Sequence, residues 1–554
     1  MAKKYLVTSA LPYINNIPHL GNFIPLLRSD IYTRILKLQG ENVLYICATD
    51  ESGTRTEIEA EKKQMNEEQY CKIMHKKIKD ILDWFNIEVD YFGRTSSESN
   101  HELTKEIFLD LHKQGYICEK EIALLYCPNC KRYLPDSYVE GTCPFCKQPG
   151  AKGDQCDSCS KFINPEELID PKCKLCGEKP LIKKDRHLFL DLPKFSAKLQ
   201  KYIEENKNFR GIEKNLPLAW IKDGLEPRCI SRNLKWGVKI PLDGYEDKVF
   251  YVWFDAPIGY IAATKDYCDK NNLNYKDYWQ NKDTDIIHFM GKDNVPFHTI
   301  IWPAELMSNK KWNLPSRIYS NEFLNYEKGK FSKSNNHGVF CDDVLKLKYN
   351  SDTWRFYLSS VLPEGKDSDF EWHEFMEKIN NELIANYANF AYRIISIAKR
   401  FGQITALDET GLTKEEKEIA EKIKENIDNY FSQNIKGNLK ESLRNALNIG
   451  SLGNQYFQKN KPWELIKDES KKTEANHVLW FSFCILLNTS VLLHPFIPTK
   501  TKESIKQIDL EFNPNNALKS KIPLMIKKNI VLTEAKPLFA KIQDDDIKEL
   551  KKRF

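Results

Sequence analysis

Lys4-Tyr5-Leu6-Val7-Thr8-Ser9 reads as a short β-rich strand, and the loop after it carries Pro12, Asn15, Asn16 and Pro18 before reaching His19-Leu20-Gly21-Asn22. Ile24, Leu27, Ile31 and Ile35 then repeat at helical spacing. Strand, loop and helix in this order place the positive end of a helix and its free backbone N–H groups where phosphates bind. Val43 to Ala48 forms a second apolar strand ending at Thr49-Asp50-Glu51, with acidic residues at a strand's carboxyl end, where open α/β sheets bind ligands. The expected fold class is therefore α/β with a Rossmann-type parallel sheet.

Outward from that stretch, composition sets bounds. With 554 residues, 41% hydrophobic and 29% charged, the chain is long enough for several cores and is not compositionally disordered. Its net charge of +5 permits a polyanionic partner without demanding one. No export signal is read at the N-terminus, and the apolar run Val478 to Phe496 is interrupted by polar residues, so a buried helix is expected there rather than a membrane span. Residues 116 to about 190 are dense in Cys, Pro, Gly and Lys with little long periodicity, which marks an insertion into the sheet. Lys248 to Phe254 and Asp285 to Met290 look like the strands that complete the sheet beyond it. After Glu371 the pattern is helical, with Leu383, Tyr387, Phe390, Ile394, Ile395 and Ala398 on one face, and Lys461-Pro462-Trp463 follows Asn454 in a loop-like stretch.

Of fifteen cysteines, eight form four Cys-x-x-Cys pairs: Cys127/Cys130, Cys143/Cys146, Cys156/Cys159 and Cys173/Cys176. Eight thiolates suffice for two closed tetrahedral sites, and a closed zinc site is structural. Far from the first loop, Gly329-Lys330-Phe331-Ser332-Lys333-Ser334 is a basic, small-residue loop able to bring two ammonium groups to a triphosphate. Taken alone, one His and one Gly in a loop are more often structural, and a solvated basic loop is the bland alternative for the second segment.

Together they resemble the His-Ile-Gly-His and Lys-Met-Ser-Lys-Ser signatures of class I aminoacyl-tRNA synthetases, with Asn22 in place of the second His and Phe331 in place of Met. Ala10-Leu11-Pro12-Tyr13 and Val252-Trp253-Phe254-Asp255-Ala256-Pro257-Ile258-Gly259-Tyr260 resemble the methionyl members of that class. The resemblance implies catalytic roles for His19, Asn22, Lys330 and Lys333. It implies ATP binding by His19, Gly21, Asn22, Asp293, Lys330, Ser332 and Lys333. Methionine would be held by Ala10, Leu11, Tyr13, Asp50, Trp253, Ala256, Pro257, Tyr260 and His298. Aromatic rings suit a thioether, whose sulfur–ring contacts contribute ~0.3–1.5 kcal/mol each, while ordinary aromatic core is the bland reading of Trp253 and Tyr260 and a satisfied helix histidine that of His298.

The resemblance further implies that the inner cysteine pairs share one zinc ion and the outer pairs another, so one or two Zn²⁺ are expected beside ATP with Mg²⁺. Asn389, Arg393 and Trp463 would read unpaired anticodon bases of tRNA(Met), with Asn386 divided between recognition and helix packing. Expected divisions are 1–115 and 236–325 for the two halves of the catalytic sheet, 116–235 for the insertion, 326–370 for a stem-contact region holding the basic loop, and 371–554 for a helical anticodon-binding part. A cytoplasmic monomer with methionine, ATP and tRNA(Met) as partners, and no membrane, is expected. Two other readings remain: another zinc-using class I synthetase such as the cysteinyl enzyme, which needs an open zinc position, and a zinc-dependent RNA-binding relative without catalysis.

Overall fold

The structure, a computed structural model, describes residues 3–554 except 154, 155, 157, 160, 162, 332–336, 512, 516, 520–522 and 533. At its centre lies a five-stranded sheet built from β1 (Lys4–Ser9), β2 (Asn42–Thr49), β3 (Tyr91–Arg94), β4 (Thr284–Gly291) and β5 (Arg317–Asn321), in the order β5-β4-β1-β2-β3. Every pairing is parallel. Both faces are covered, as an all-parallel sheet requires. Val7, Tyr45, Cys47, Ile287 and Phe289 enter one core, whereas Leu6, Leu44, Ile46 and Ile286 enter the other. The chain order reverses between β1 and β4, so ligands are expected outside the carboxyl ends of those two strands.

The first core continues from the sheet into the helices. Helix α1 (Leu20–Leu38) buries sixteen of its nineteen residues, and its Asp30 accepts bonds from Arg34 (2.9 Å) and Arg355 (2.7 Å). Arg355 is fully buried and also donates to the carbonyls of Pro495, Phe496 and Phe85, so a paired charge joins three regions of chain. Helices α2 (Thr54–Lys62), α3 (Ser196–Glu205) and α4 (Ile258–Lys270) surround the sheet and its insertion. Beyond residue 371 come α5 (Asn389–Phe401), α6 (Lys414–Ile435), α7 (Leu439–Asn460) and α8 (Lys472–Leu493). The segment Glu469–Leu493 is long and apolar enough to cross a membrane by length and composition, yet 83% of its apolar window is buried. This agrees with the buried helix expected there.

The sequence reading is corrected at three places. Lys248 to Phe254 supplies no strand to the central sheet: Val249–Phe250 pairs with Ser231–Arg232 in a separate two-stranded sheet, and Val252–Asp255 begins a helical turn. A continuous apolar run fits either state, and burial against the second core decides for the turn. The insertion has more regular structure than its composition indicated, because Ile117–Cys127 and Leu181–Leu190 form a long antiparallel ribbon. Asn454 lies inside α7, and the loop expected at Lys461-Pro462-Trp463 is a left-handed residue (Lys461, φ 42°) followed by the short helix Pro462–Leu465.

Candidate active site and cysteine clusters

Three strand ends converge at the point of reversal. Ala10 N donates to Phe289 O at 2.7 Å, tying the loop after β1 to β4, while Asp50 N donates to Pro12 O at 3.0 Å and Ile14 N to Asp50 O at 3.4 Å. That bridge sets Tyr13 beside Asp50. Asp50 is 5% exposed, and its Oδ1 has no hydrogen-bond partner among the described residues. Burial, then the neighbouring Asp255 and Glu51 charges, push its carboxyl well above the usual range. A buried, partnerless carboxyl oxygen is costly unless a ligand donor completes it.

An aromatic wall stands next to this carboxyl. Tyr13 meets Trp253 edge-on at 6.3 Å, and Trp253 stacks on Phe297 at 3.8 Å. Leu11 comes close to Gly259, and Ala256 and Pro257 turn the chain into α4, which delivers the buried Tyr260. His298 sits in the π-helical segment Phe297–Ile301. Its Nδ1 lies 3.0 Å from Asn294 O, a pure acceptor, so Nδ1 carries the proton and Nε2 accepts from the Tyr260 hydroxyl at 3.0 Å. Burial lowers the His298 pKa to about 4, so the ring is neutral.

A layer behind this wall was not singled out from the sequence. Tyr260 stacks on buried His288 at 4.8 Å, and Trp302 donates its indole N–H to His288 Nε2 at 3.3 Å. The remaining ring nitrogen, Nδ1, then donates to Thr8 Oγ1. Asp255, fully buried, accepts from Ser52 at 2.8 Å and is pushed up to about 8 by burial. Its neighbour Glu305 is also fully buried. His288 was visible only as part of the strand Asp285 to Met290, and nothing in the local sequence links it to Trp302 or Thr8.

At the nucleotide turn, His19 caps α1 by accepting the Asn22 backbone N–H at Nδ1 (3.2 Å), which leaves the proton on Nε2. Burial lowers its pKa to about 4. Gly21 is required by space: a Cβ there would meet the His19 ring at 3.0 Å and Leu324 O at 3.2 Å. Asn22 is exposed. Asp293 is exposed just past the end of β4.

The basic loop opens with a tight turn, in which Tyr326 and Gly329 exchange both backbone hydrogen bonds around Glu327 (φ 45°) and Lys328 (φ 67°). Lys330 follows it and is exposed. Phe331 stacks flat on the His19 ring at 4.5 Å, so the loop meets the nucleotide turn directly. Ser332 and Lys333 lie outside the described residues.

The eight cysteines form two clusters, Cys127/Cys130/Cys173/Cys176 and Cys143/Cys146/Cys156/Cys159, each with all sulfurs within 4.8 Å of one another. The outer pairs thus meet each other, as do the inner pairs. Close Sγ···Sγ distances are 3.5 and 3.8 Å in the first cluster and 3.6 and 3.9 Å in the second. A zinc–sulfur bond of ~2.3 Å in a tetrahedron gives an edge of ~3.8 Å, so both sets of thiols fit a zinc ion. Glu57 of α2 fastens this region to the catalytic core by accepting from Tyr138 Oη, Lys235 N and Trp236 N.

In the helical part, Arg393 lies one turn beyond exposed Asn389 and stacks over the rings of Trp463 (5.6 Å) and Phe457 (5.3 Å). Asn386 instead donates to Leu447 O and Ser451 Oγ, which is the helix-packing alternative.

A parallel sheet reversing at β1/β4, an insertion after β3, and a His-Leu-Gly-Asn turn met by a lysine loop define a class I aminoacyl-tRNA synthetase. Comparison with known proteins narrows this. A family model described as tRNA synthetases class I (M) matches residues 5–395, and one described as the anticodon binding domain of methionyl tRNA ligase matches residues 408–554. The chain is 41% identical to the probable cytoplasmic methionine–tRNA ligase of Dictyostelium discoideum, covering 100% of this chain and 75% of that protein. It is 42% identical to the methionine–tRNA ligase of Borrelia garinii subsp. bavariensis, with 100% and 75% covered, and 40% identical to the cytoplasmic enzyme of Xenopus laevis, with 100% and 61% covered. The fold matches that of Mycobacterium tuberculosis methionyl-tRNA synthetase in complex with methionyl-adenylate, with a TM-score of 0.80 over 97% of this chain and 99% of that one, at 21% identity. The chain belongs to the methionyl-tRNA synthetase family.

Proposed function

We propose that the chain activates methionine with ATP and transfers the methionyl group to the 3′-terminal adenosine of tRNA(Met). The methionine carboxylate attacks the α-phosphorus in line and pyrophosphate leaves. The adenosine hydroxyl then attacks the methionyl-adenylate carbonyl and AMP leaves. No covalent enzyme intermediate is needed, and the rate comes from alignment and stabilisation of phosphoryl charge.

The observation that carries this reading is the buried, partnerless Asp50 Oδ1 beside the Tyr13, Trp253, Tyr260 and His298 wall. The substrate ammonium completes Asp50, and the side chain lies against the rings with Ala10, Leu11, Ala256 and Pro257. The Nε2–H of His19 and the Asn22 amide donate to phosphate oxygens, Gly21 admits the nucleotide, and Asp293 takes the ribose. Lys330, Ser332 and Lys333 bind the pyrophosphate side. Magnesium enters with ATP, and each cysteine cluster holds one structural zinc ion. Asn389, Arg393 and Trp463 receive anticodon bases, the ring by stacking and the polar groups by hydrogen bonds. The division is 1–115 and 236–325 catalytic, 116–235 insertion, 326–370 stem contact and 371–554 anticodon-binding.

The test is ATP–pyrophosphate exchange measured with each of the twenty amino acids. Methionine alone should support fast exchange, and equal or better exchange with another amino acid overturns the assignment.

A further inference from the structure

The segment between the helix Trp302–Leu306 and β5 runs past α3 and leaves a groove of about 680 Å³. Its floor is apolar, formed by Leu306, Trp312, Leu314 and Pro315. Its rim carries Lys198, Lys201, Lys207 and Lys310, against the single acid Glu205. The groove lies at the amino end of β5, where Ser316 N donates to Ile286 O, and so at the opposite end of the sheet from the nucleotide turn.

Two features indicate what such a groove accepts. Trp312 is only 7% exposed, yet its indole N–H is buried with no hydrogen-bond partner among the described residues. A native buried donor of this kind calls for an acceptor. The rim charge is also unbalanced. Lys198 donates to Tyr116 Oη at 2.9 Å and Lys201 faces Glu205 at 4.0 Å, but Lys207 and Lys310 are exposed and have no ion pair among the described residues.

We propose that this groove docks an acidic segment of another protein. Apolar side chains of the segment cover the floor, a backbone carbonyl accepts from Trp312 Nε1–H, and carboxylates lie against Lys207 and Lys310. Charge complementarity selects an acidic partner over a neutral one and makes the contact salt-dependent.

The probe is a dye-labelled synthetic peptide, Glu-Glu-Leu-Glu-Trp-Leu-Glu-Glu, titrated with the full chain and followed by fluorescence anisotropy. Saturable binding with a midpoint below roughly 100 µM is expected. The exposed pair Lys207→Glu/Lys310→Glu should weaken it at least about tenfold. Trp312→Phe, which keeps a ring and removes the donor, should weaken it about threefold or more. Methionine-dependent exchange should stay unchanged in the lysine double variant, separating this surface from the catalytic assignment. Absence of saturation by about 1 mM, equal affinity in the lysine double variant, or tight binding of a glutamine-for-glutamate peptide would each overturn the proposal. So would displacement of the peptide by sodium dodecanoate, which would make the groove a fatty-acid site.

Discussion

Asp50 and His298, both assigned to the candidate methionine site, follow the same electrostatic logic, because burial disfavours the charged form of each. It pushes the Asp50 carboxyl well above the usual range, so an incoming ammonium is what restores its charge, and it keeps His298 neutral. Asp50→Asn removes the ammonium's charged partner, worth ~1.5–3 kcal/mol for a hydrogen bond to a charged group, so the methionine KM should rise about 10- to 100-fold while the ATP KM changes little. Steady-state exchange kinetics check this. For His298, the folded pKa of about 4 lies below the unfolded 6.5, so the unfolded chain binds the extra proton between those values. Stability from this group is therefore whole above about pH 6.5 and declines as pH falls toward 4, by at most ~1.4 kcal/mol per unit. Denaturant titrations at pH 7, 6 and 5 should find wild type losing ground relative to His298→Gln over that range. A constant difference would mean that the ring does not titrate in this way.

At the level of elements, the sheet was partly legible. Strands β1, β2 and β4 carry the near-continuous apolar runs of strands covered on both faces, and α1 keeps helical spacing. Strand β5 escaped notice because Arg317-Ile318-Tyr319-Ser320-Asn321 is an edge strand with polar residues, Arg317 pairing with Asp285 at 2.6 Å. Lys248 to Phe254 misled because an unbroken apolar run has no period to read. The positions of Asp50, Tyr13, Trp253 and Tyr260 followed from motifs, whereas the Thr8–His288–Trp302 layer joins residues hundreds of positions apart and has no local signal. Cysteine spacing pointed to knuckles able to hold a metal but did not itself say which pairs meet. The two clusters predict two zinc ions per chain by atomic emission spectroscopy, falling to about one in Cys143→Ser, because three remaining thiolates do not close a tetrahedral site. A ratio still near two in that variant would contradict the assignment of that cluster.

Across the whole molecule, catalytic and helical parts share one hydrophobic core, and buried arginines bind them together. Arg28 of α1 donates to Ser320 O at 2.8 Å and to Gly437 O at 3.1 Å, joining the helix that begins at His19 to β5 and to the turn between α6 and α7. Trp463 lies far along the chain from the nucleotide turn, beside Arg393. Trp463→Ala should therefore lower kcat/KM for tRNA charging by about 5- to 100-fold, the loss of one stacked base at ~1–3 kcal/mol, while leaving tRNA-independent exchange intact. Equal loss in both assays would make the ring a folding residue. The most direct test of the account is a crystal structure with a non-hydrolysable sulfamoyl analogue of methionyl-adenylate. The prediction is an ammonium within hydrogen-bond distance of Asp50, a thioether against Tyr260 and His298, and a nucleotide beside His19 and Gly21. An analogue bound elsewhere, or one whose ammonium points away from Asp50, would contradict it.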